Sequence, residues 1–183
     1  MKIEKEFIVP FPGERVWAFF HDTAAVGNCL PGAELNEAGE DGALKGRFRV
    51  KLGPIAASFA GEGRVALDEA ARAGMIEGAG SDRATGTRAR GAAHFALAET
   101  AGGTRVTVTV DYTLAGTLAQ FGRGAIVENL ATRLAGEFAA NLERALSAET
   151  SVAPAAAPPI SAGKLISGAI RDRLRRRRKT GEC

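Results

Sequence analysis

The feature that most constrains this fold is one long amphipathic segment between Gly116 and Ala148. Its apolar side chains recur at spacings of three and four residues, as they do on one face of an α-helix. These positions are Leu118, Phe121, Ile126, Leu130, Leu134, Phe138, Leu142 and Leu146. At about 1.5 Å per residue the helix would span roughly 45 Å, so we expect it to lie across a whole sheet. Gly122 and Gly124 make its first turns the expected place for a kink.

Charge is distributed unevenly along the chain. Residues 1–150 hold 16 Lys and Arg against 19 Asp and Glu, whereas residues 151–183 hold 8 against 2. No apolar run reaches the about 20 residues needed to span a bilayer, and the first residues are charged where a signal peptide would be apolar. Cys29 and Cys183 provide neither a disulfide framework nor a metal-binding spacing. The sequence therefore predicts a cytoplasmic body with a tail of separate function.

The segment before the long helix predicts an antiparallel sheet. The expected elements are a strand at 3–9, short helices at 14–21 and 22–28, and about six strands within 33–114. In that last range the apolar period is two, which is typical of half-buried antiparallel strands. Turn signals such as Glu40-Asp41-Gly42 and Ala101-Gly102-Gly103 separate the strands. The predicted fold class is therefore α+β.

The predicted inward faces of these strands are rich in small residues. They carry Gly46, Ala57, Gly61, Gly63, Ala89, Gly91 and Ala93. A curved sheet lined in this way leaves space that a helix or a ligand must fill. Alternatively, the small residues let the long helix pack closely or ease bending of the strands. The spacing of the residues leaves both interpretations open.

The order of these elements resembles the helix-grip fold of the START-like superfamily, a curved antiparallel sheet of about six to seven strands wrapped around a long C-terminal helix. Three motifs resemble the G-subunit family of carbon monoxide dehydrogenase over residues 1 to about 148. They are Val16-Trp17 with Asp22 downstream, Asn28-Cys29-Leu30-Pro31-Gly32-Ala33-Glu34, and Leu118-Ala119-Gln120-Phe121-Gly122-Arg123-Gly124. The resemblance implies a non-catalytic accessory protein that recruits a molybdenum hydroxylase of the carbon monoxide dehydrogenase type to the cytoplasmic membrane.

We expect an apolar ligand cavity between the sheet and the long helix. The residues expected to line it are Trp17, Leu30, Pro31, Phe48, Phe59, Gly91, Ala93, Phe95, Tyr112, Gln120, Phe121, Ile126 and Leu130. Leu30 and Pro31 are placed near its mouth, and Gln120 is interpreted either as a headgroup contact or as part of a solvated turn. An isoprenoid quinone is the best candidate ligand, since a redox enzyme at a membrane needs an electron acceptor. No metal and no covalent cofactor are expected.

Residues 150–159 form a Pro- and Ala-rich linker, and residues 160–183 form a basic amphipathic tail. We expect the tail to bind an anionic membrane, with the helix-grip domain at 1–149. The residues expected to contact lipid are Lys164, Leu165, Ile166, Ile170, Arg171, Arg173, Leu174, Arg175, Arg176, Arg177, Arg178 and Lys179. Nucleic acid is disfavoured because the body is acidic. The protein is thus expected to be peripheral on the inner face of the cytoplasmic membrane.

No arrangement of side chains in the sequence predicts catalysis. Cys29 is interpreted as a small buried hydrophobe, and His21 and His94 as surface residues. The alternative function is an independent carrier of a lipid or other hydrophobic molecule, or a cyclase or hydrolase of such a molecule. The lack of a Ser/His/Asp, Cys/His or paired-carboxylate pattern counts against hydrolysis but not against carriage.

Overall fold

The computed structural model describes residues 1–39, 41–52, 55–121 and 125–151, so the predicted membrane-binding tail lies outside the described residues. Met1–Ser151 form one compact unit. Its elements in chain order are β1 (Lys2–Val9), α1 (Gly13–His21), α2 (Thr23–Cys29), β2 (Ala33–Ala38), β3 (Ala43–Leu52), β4 (Ile55–Asp68), β5 (Ala73–Asp82), β6 (Thr87–Thr100), β7 (Gly103–Ala115), a 3₁₀-helix (Thr117–Phe121) and α3 (Ala125–Ser151). Within the described part of the chain, no helix has the length and apolarity needed to cross a membrane.

The seven strands form one antiparallel sheet in the order β1-β7-β6-β5-β4-β3-β2. Strands β2 to β7 follow one another as neighbours, and β1 pairs with β7, with Ile3 opposite Val110. The predicted period of two is confirmed, since Ala57 and Phe59 are buried while Arg47 and Lys51 are exposed. A curved antiparallel sheet with a long C-terminal helix is the helix-grip fold predicted from the sequence.

The long helix begins later than the apolar pattern predicts. Helix α3 starts at Ala125, and Leu118 lies in the preceding 3₁₀-helix. Gly116 adopts φ +103°, a left-handed conformation that ends β7 and turns the chain. The backbone amide of Leu118 then donates a hydrogen bond to the buried Thr87 hydroxyl at 3.2 Å, which fixes this turn against the sheet. The remaining helix has 27 residues and spans roughly 40 Å.

Helix α3 packs against two separate apolar clusters. Leu142 and Leu146, near its C-terminus, are fully buried in a cluster with α1, α2 and one end of the sheet. Val127, near its N-terminus, packs with Phe59 and the 3₁₀-helix. Between these anchors Leu130 and other apolar residues of α3 are only half-buried. The open space lies beneath the first turns of the helix, at Val127 and Leu130, whereas Phe138 in its middle packs against the ring of Phe7.

Glycines bring neighbouring strands close together where the sheet curves. A Cβ atom built on Gly61 would lie 2.1 Å from the carbonyl oxygen of Ala79, and one on Gly63 would crowd the carbonyl oxygen of Glu77. In both cases the crowded atoms belong to the adjacent strand β5 and not to α3. Of the two interpretations of the small residues, bending of the strands is thus supported at these positions.

Replacing Gly61 with Ala is expected to lower the free energy of unfolding by about 2 kcal/mol, because the new methyl group must push against a backbone that cannot move aside. Gly102→Ala is the matched control, since nothing lies within 4 Å of a Cβ at that turn position. The control should be unchanged or slightly more stable. Urea unfolding of both variants measures the difference, and equal stabilities would contradict the role given to Gly61.

Candidate ligand-binding cavity

A cavity of about 460 Å³ lies between the concave face of the sheet and α3. This volume is in the range of small-molecule sites in proteins. Its walls are apolar side chains from the end of α2, the strands β2 to β7 and the first turns of α3. They are Leu30, Leu35, Leu44, Phe48, Val50, Phe59, Ile76, Val110, Leu114, Val127 and Leu130.

The floor of the cavity is made largely of backbone. Gly46, Gly61, Gly63, Gly78, Gly80 and Gly91 line it together with Ala33, Ala89 and Ala93. These residues present little or no side chain toward α3, so the sheet does not fill the space beneath the helix. The small inward residues therefore have both expected consequences, since they let the strands bend and they leave an open volume.

Several residues predicted from the sequence to bind a ligand come together around this cavity. They are Leu30, Phe48, Phe59, Gly91, Ala93, Tyr112 and Leu130. The strand residues among them share the inward phase of the sheet, in which Phe48 is opposite Phe59 and Gly91 is opposite Tyr112. Leu30 follows α2, and Leu130 lies on the apolar stripe of α3.

Two aromatic residues that were predicted to line the cavity lie in the packed core instead. Trp17 is 8% exposed, and its indole N–H donates a hydrogen bond to the Glu69 carboxylate at 2.8 Å. The ring of Phe95 packs against that of Phe20, with centroids 5.1 Å apart. Helices α1 and α2 close this end of the sheet, so inward-facing side chains here are used for packing and not for lining the cavity.

The other predicted lining residues lie elsewhere. Gln120 is exposed, and Ile126 is 40% exposed on the solvent side of the first turn of α3. Pro31 lines a neighbouring pocket, and the side chain of Phe121 is outside the described part of the chain. Sequence reasoning also missed seven apolar lining residues that share the inward phase or the helix stripe. They are Leu35, Leu44, Val50, Ile76, Val110, Leu114 and Val127.

A second pocket, of about 490 Å³, adjoins the cavity and shares Val50 and Leu130 with it. Pro31 and Leu134 contribute apolar side chains to its wall. Charged side chains also line this pocket. They are Arg49, Lys51, Asp82, Arg133 and Glu137. A ligand entering here would place its apolar part inside and any polar part among these charges.

Tyr112 supplies a polar side chain on the inward face of the cavity. Burial raises the pKa of its hydroxyl group, and the nearby carboxylate of Glu128 raises it further. Glu128 in turn forms an ion pair with Lys5 at 2.6 Å. The phenol is therefore neutral at physiological pH.

Asp82 holds the β5–β6 turn beside the second pocket, a role that the sequence reasoning missed. Its carboxylate accepts hydrogen bonds from the Thr85 hydroxyl at 2.9 Å and the Ala84 amide at 3.0 Å. The bond from Thr85 is the main cause that lowers the pKa of Asp82, against the opposing effect of burial. The signal in the sequence is an Asp followed by a polar turn at residues 83–87.

The described residues outside the cavity do not assemble a reactive centre. Cys29 is buried, and burial raises the pKa of its thiol while Arg144 opposes that rise. His21 and His94 are exposed, as predicted. In the described ranges, no group of three or more His, Cys, Asp or Glu residues could hold a metal ion. The arrangement provides an apolar container with one inward hydroxyl group.

Comparison with protein families gives a match over residues 6–147 to CoxG, the family of the G-subunit of carbon monoxide dehydrogenase. The match covers all the described elements except the first residues of β1 and the last residues of α3. Comparison with curated protein sequences finds no significant relative.

Comparison with solved structures finds the same fold in proteins of low sequence identity. A conserved protein from Geobacillus kaustophilus has a TM-score of 0.66 and 14% identity, covering 80% of this chain and 95% of that chain. The Zhui aromatase/cyclase from Streptomyces sp. R1128 has a TM-score of 0.57 and 15% identity, covering 84% and 97%. A point mutant of norcoclaurine synthase from Thalictrum flavum has a TM-score of 0.54 and 16% identity, covering 82% and 96%.

Proposed function

The chain belongs to the CoxG family of carbon monoxide dehydrogenase, and on this premise we propose that it is an accessory protein that binds an elongated lipophilic molecule in its cavity. The observation that supports this proposal is the apolar space of about 460 Å³ that neither the sheet nor α3 fills. A lipophilic ligand would displace water from this apolar lining and bury its own apolar surface there.

An isoprenoid quinone fits the chemistry of the cavity. Burial of a few hundred Å² of isoprenoid surface contributes several kcal/mol at about 25 cal/mol per Å², before the costs of association. The neutral phenol of Tyr112 adds a polar group to the cavity wall, beside which a quinone head group would lie. The ligand would serve as the electron acceptor of a redox enzyme at the membrane.

We further propose that the protein recruits a molybdenum hydroxylase of the carbon monoxide dehydrogenase type to the cytoplasmic membrane. The family supplies the link to the hydroxylase. The tail, with 8 Lys and Arg against 2 Asp and Glu in residues 151–183, supplies the attraction to anionic lipid. In this arrangement the body binds the enzyme and the ligand while the tail binds the bilayer.

A molybdenum hydroxylase of this type, expressed beside the full chain, is expected to sediment with membranes because one protein contacts both. Expression beside a chain ending at Ser151 should leave the enzyme in the soluble fraction, since the basic tail is removed. Membrane fractionation followed by activity staining measures the partition. Equal amounts of membrane-bound enzyme with the full chain, the shortened chain and no accessory chain would exclude recruitment.

The second candidate function is independent carriage or conversion of a hydrophobic small molecule. An aromatase/cyclase and norcoclaurine synthase have the same fold, which makes conversion worth testing. The described lining favours carriage over cyclisation, because its inward-facing side chains are apolar apart from Tyr112. The charged residues of the lining belong to the outward phase of their strands. They are Arg47, Glu62, Glu77 and Arg90. Incubation of the protein with a bound polyketide or quinone, followed by mass spectrometry, separates the two. Recovery of a chemically altered ligand would support the cyclase.

A further inference from the structure

The face of the sheet opposite the cavity carries a second concave surface, with a volume of about 580 Å³. Its two walls are basic side chains. Lys45 lines it on the β3 side, where Arg47 is the next residue that faces outward, and Arg88 and Arg90 line it on the β6 side. All four residues are exposed. We call this surface the basic trough.

Strand register sets the width and depth of the basic trough. Arg47 is opposite Ala60, Ala60 is opposite Ser81, and Ser81 is opposite Arg88. The two walls are therefore three strand spacings apart, or roughly 14 Å at about 4.8 Å each. Ala60, Ala79 and Ser81 on the two central strands are small, so the floor between Arg47 and Arg88 lies below the tips of the Arg side chains.

The Arg side chains of the basic trough differ from other Arg side chains of this body in their ion pairs. Other Arg side chains on this body have carboxylate partners, such as Arg64 with Asp41 at 3.1 Å and Arg72 with Glu99 at 2.9 Å. By contrast, the three Arg side chains of the trough walls form no ion pair with the residues that the structure describes. Glu62 is the single carboxylate among the described residues that line the trough.

We propose that the basic trough docks an acidic α-helix of a protein partner. A helix with its side chains is about 10–12 Å across, which fits between walls roughly 14 Å apart. Carboxylates on the two flanks of such a helix would face Arg47 and Arg88, while its central surface would rest on Ala60 and Ser81. The trough lies on the outer face of the strands, so a docked partner leaves the cavity mouth open.

Two other occupants fit less well. An anionic bilayer is flat on this scale, so it would contact the tips of the walls and not the recessed floor. The tail of this chain is itself strongly basic and would be repelled. The acidic character of the partner helix follows from the trough alone. If the partner is a molybdenum hydroxylase, that identity rests on the proposed function.

The test uses the full chain labelled with ¹⁵N and a probe peptide of about 20 residues, with Glu on two flanks of an Ala-rich helix. Backbone amide shifts are followed during titration, which separates binding in the trough from binding to the basic tail. We expect saturable shifts at residues 45–47, 60–62, 79–81 and 88–90. Shifts confined to the tail, or spread over every basic residue, would overturn the proposal.

Matched variants sharpen this test. Arg88→Glu is expected to weaken the trough-specific binding about tenfold, because an attraction is replaced by a repulsion. Arg105→Glu carries the same charge change on the outer face of β7 outside the trough and should leave the affinity unchanged. Glu62→Gln should strengthen binding about twofold to threefold, since it removes a carboxylate from the trough. Equal effects of Arg88→Glu and Arg105→Glu would indicate non-specific charge attraction and refute the trough.

Two further probes distinguish the partner classes. Vesicles of phosphatidylglycerol and a 20-base-pair DNA duplex are titrated in the same way. If either produced the same amide shifts in the trough more strongly than the peptide, the choice of a protein helix would be overturned. A change in oligomeric state through the trough, seen by light scattering, would assign it to a second copy of the chain and equally overturn the proposal. If the peptide binds in the trough while no hydroxylase is recruited, the docking surface stands and the proposed function fails.

Discussion

An Ala93→Trp variant is expected to lose uptake of an isoprenoid quinone by about 100-fold or more. Ala93 lies on the inward face of β6 and lines the cavity opposite Ile76 and Val110. An indole at this position occupies the space where the isoprenoid chain would lie. Loss of about 100 Å² of apolar contact at about 25 cal/mol per Å² gives roughly 2.5 kcal/mol, and exclusion of the chain adds to this.

Ala96→Trp is the matched control for this experiment, because Ala96 is exposed on the outward face of the same strand. Both variants should be checked for an unchanged unfolding transition before quinone binding is measured by extraction and mass spectrometry. Gly91 is a poor site for the same test, since a Cβ there would lie 2.9 Å from the carbonyl oxygen of Asp111 and disturb the strand itself. Binding by Ala93→Trp at the level of Ala96→Trp would rule out the cavity as the quinone site.

Much of the fold follows from periodicity in the sequence. The alternation from Leu44 to Val50 places apolar residues inward and basic residues outward, and the structure has this arrangement in β3. An Asp directly before a helical segment predicts an N-cap, and the carboxylate of Asp22 accepts a hydrogen bond from the Ala25 amide at 2.9 Å at the start of α2. These features depend on neighbours close in sequence, so local patterns predict them.

The start of α3 and the limits of the cavity could not be predicted in the same way. The helical spacing of Leu118 continues into α3, but its position is determined by a hydrogen bond to Thr87, which is distant in sequence. Likewise, alternation predicts that Phe95 and Ala93 both face inward. It does not reveal that Phe95 meets the ring of Phe20 while Ala93 lies beneath open space. Tertiary packing decides which inward positions remain available to a ligand.

The same alternation creates both candidate surfaces from one set of strands. Gly61 belongs to the floor of the cavity, and the adjacent Ala60 belongs to the floor of the basic trough. A single layer of backbone therefore separates the proposed ligand from the proposed protein partner. A substitution in β4 or β5 must therefore be assigned to one face of the sheet before its effect is interpreted. On β6, the inward variant Ala93→Trp and the outward variant Ala96→Trp make the same distinction.

The full chain is expected to bind vesicles rich in phosphatidylglycerol, whereas a chain ending at Ser151 is not. The tail combines a Leu/Ile stripe with eight Lys and Arg residues, each contributing about 1 kcal/mol near an anionic leaflet before screening. Ile166→Asp combined with Ile170→Asp should weaken binding by about 100-fold or more, because each Ile contributes roughly 1.5–3 kcal/mol when buried and two negative charges are added. Co-sedimentation at increasing salt measures this affinity.

The matched control for the tail is Ser161→Asp combined with Ser167→Asp, which adds the same two charges and leaves the apolar stripe intact. We expect this control to weaken binding by about tenfold, less than the Ile variant, because only the electrostatic attraction is reduced. Binding should also fall with salt, since charge attraction is screened over about 10 Å at 0.1 M ionic strength. Equal losses in the two double variants would show that charge alone holds the tail to lipid. Sedimentation of the shortened chain with vesicles as efficiently as the full chain would refute the tail as the anchor.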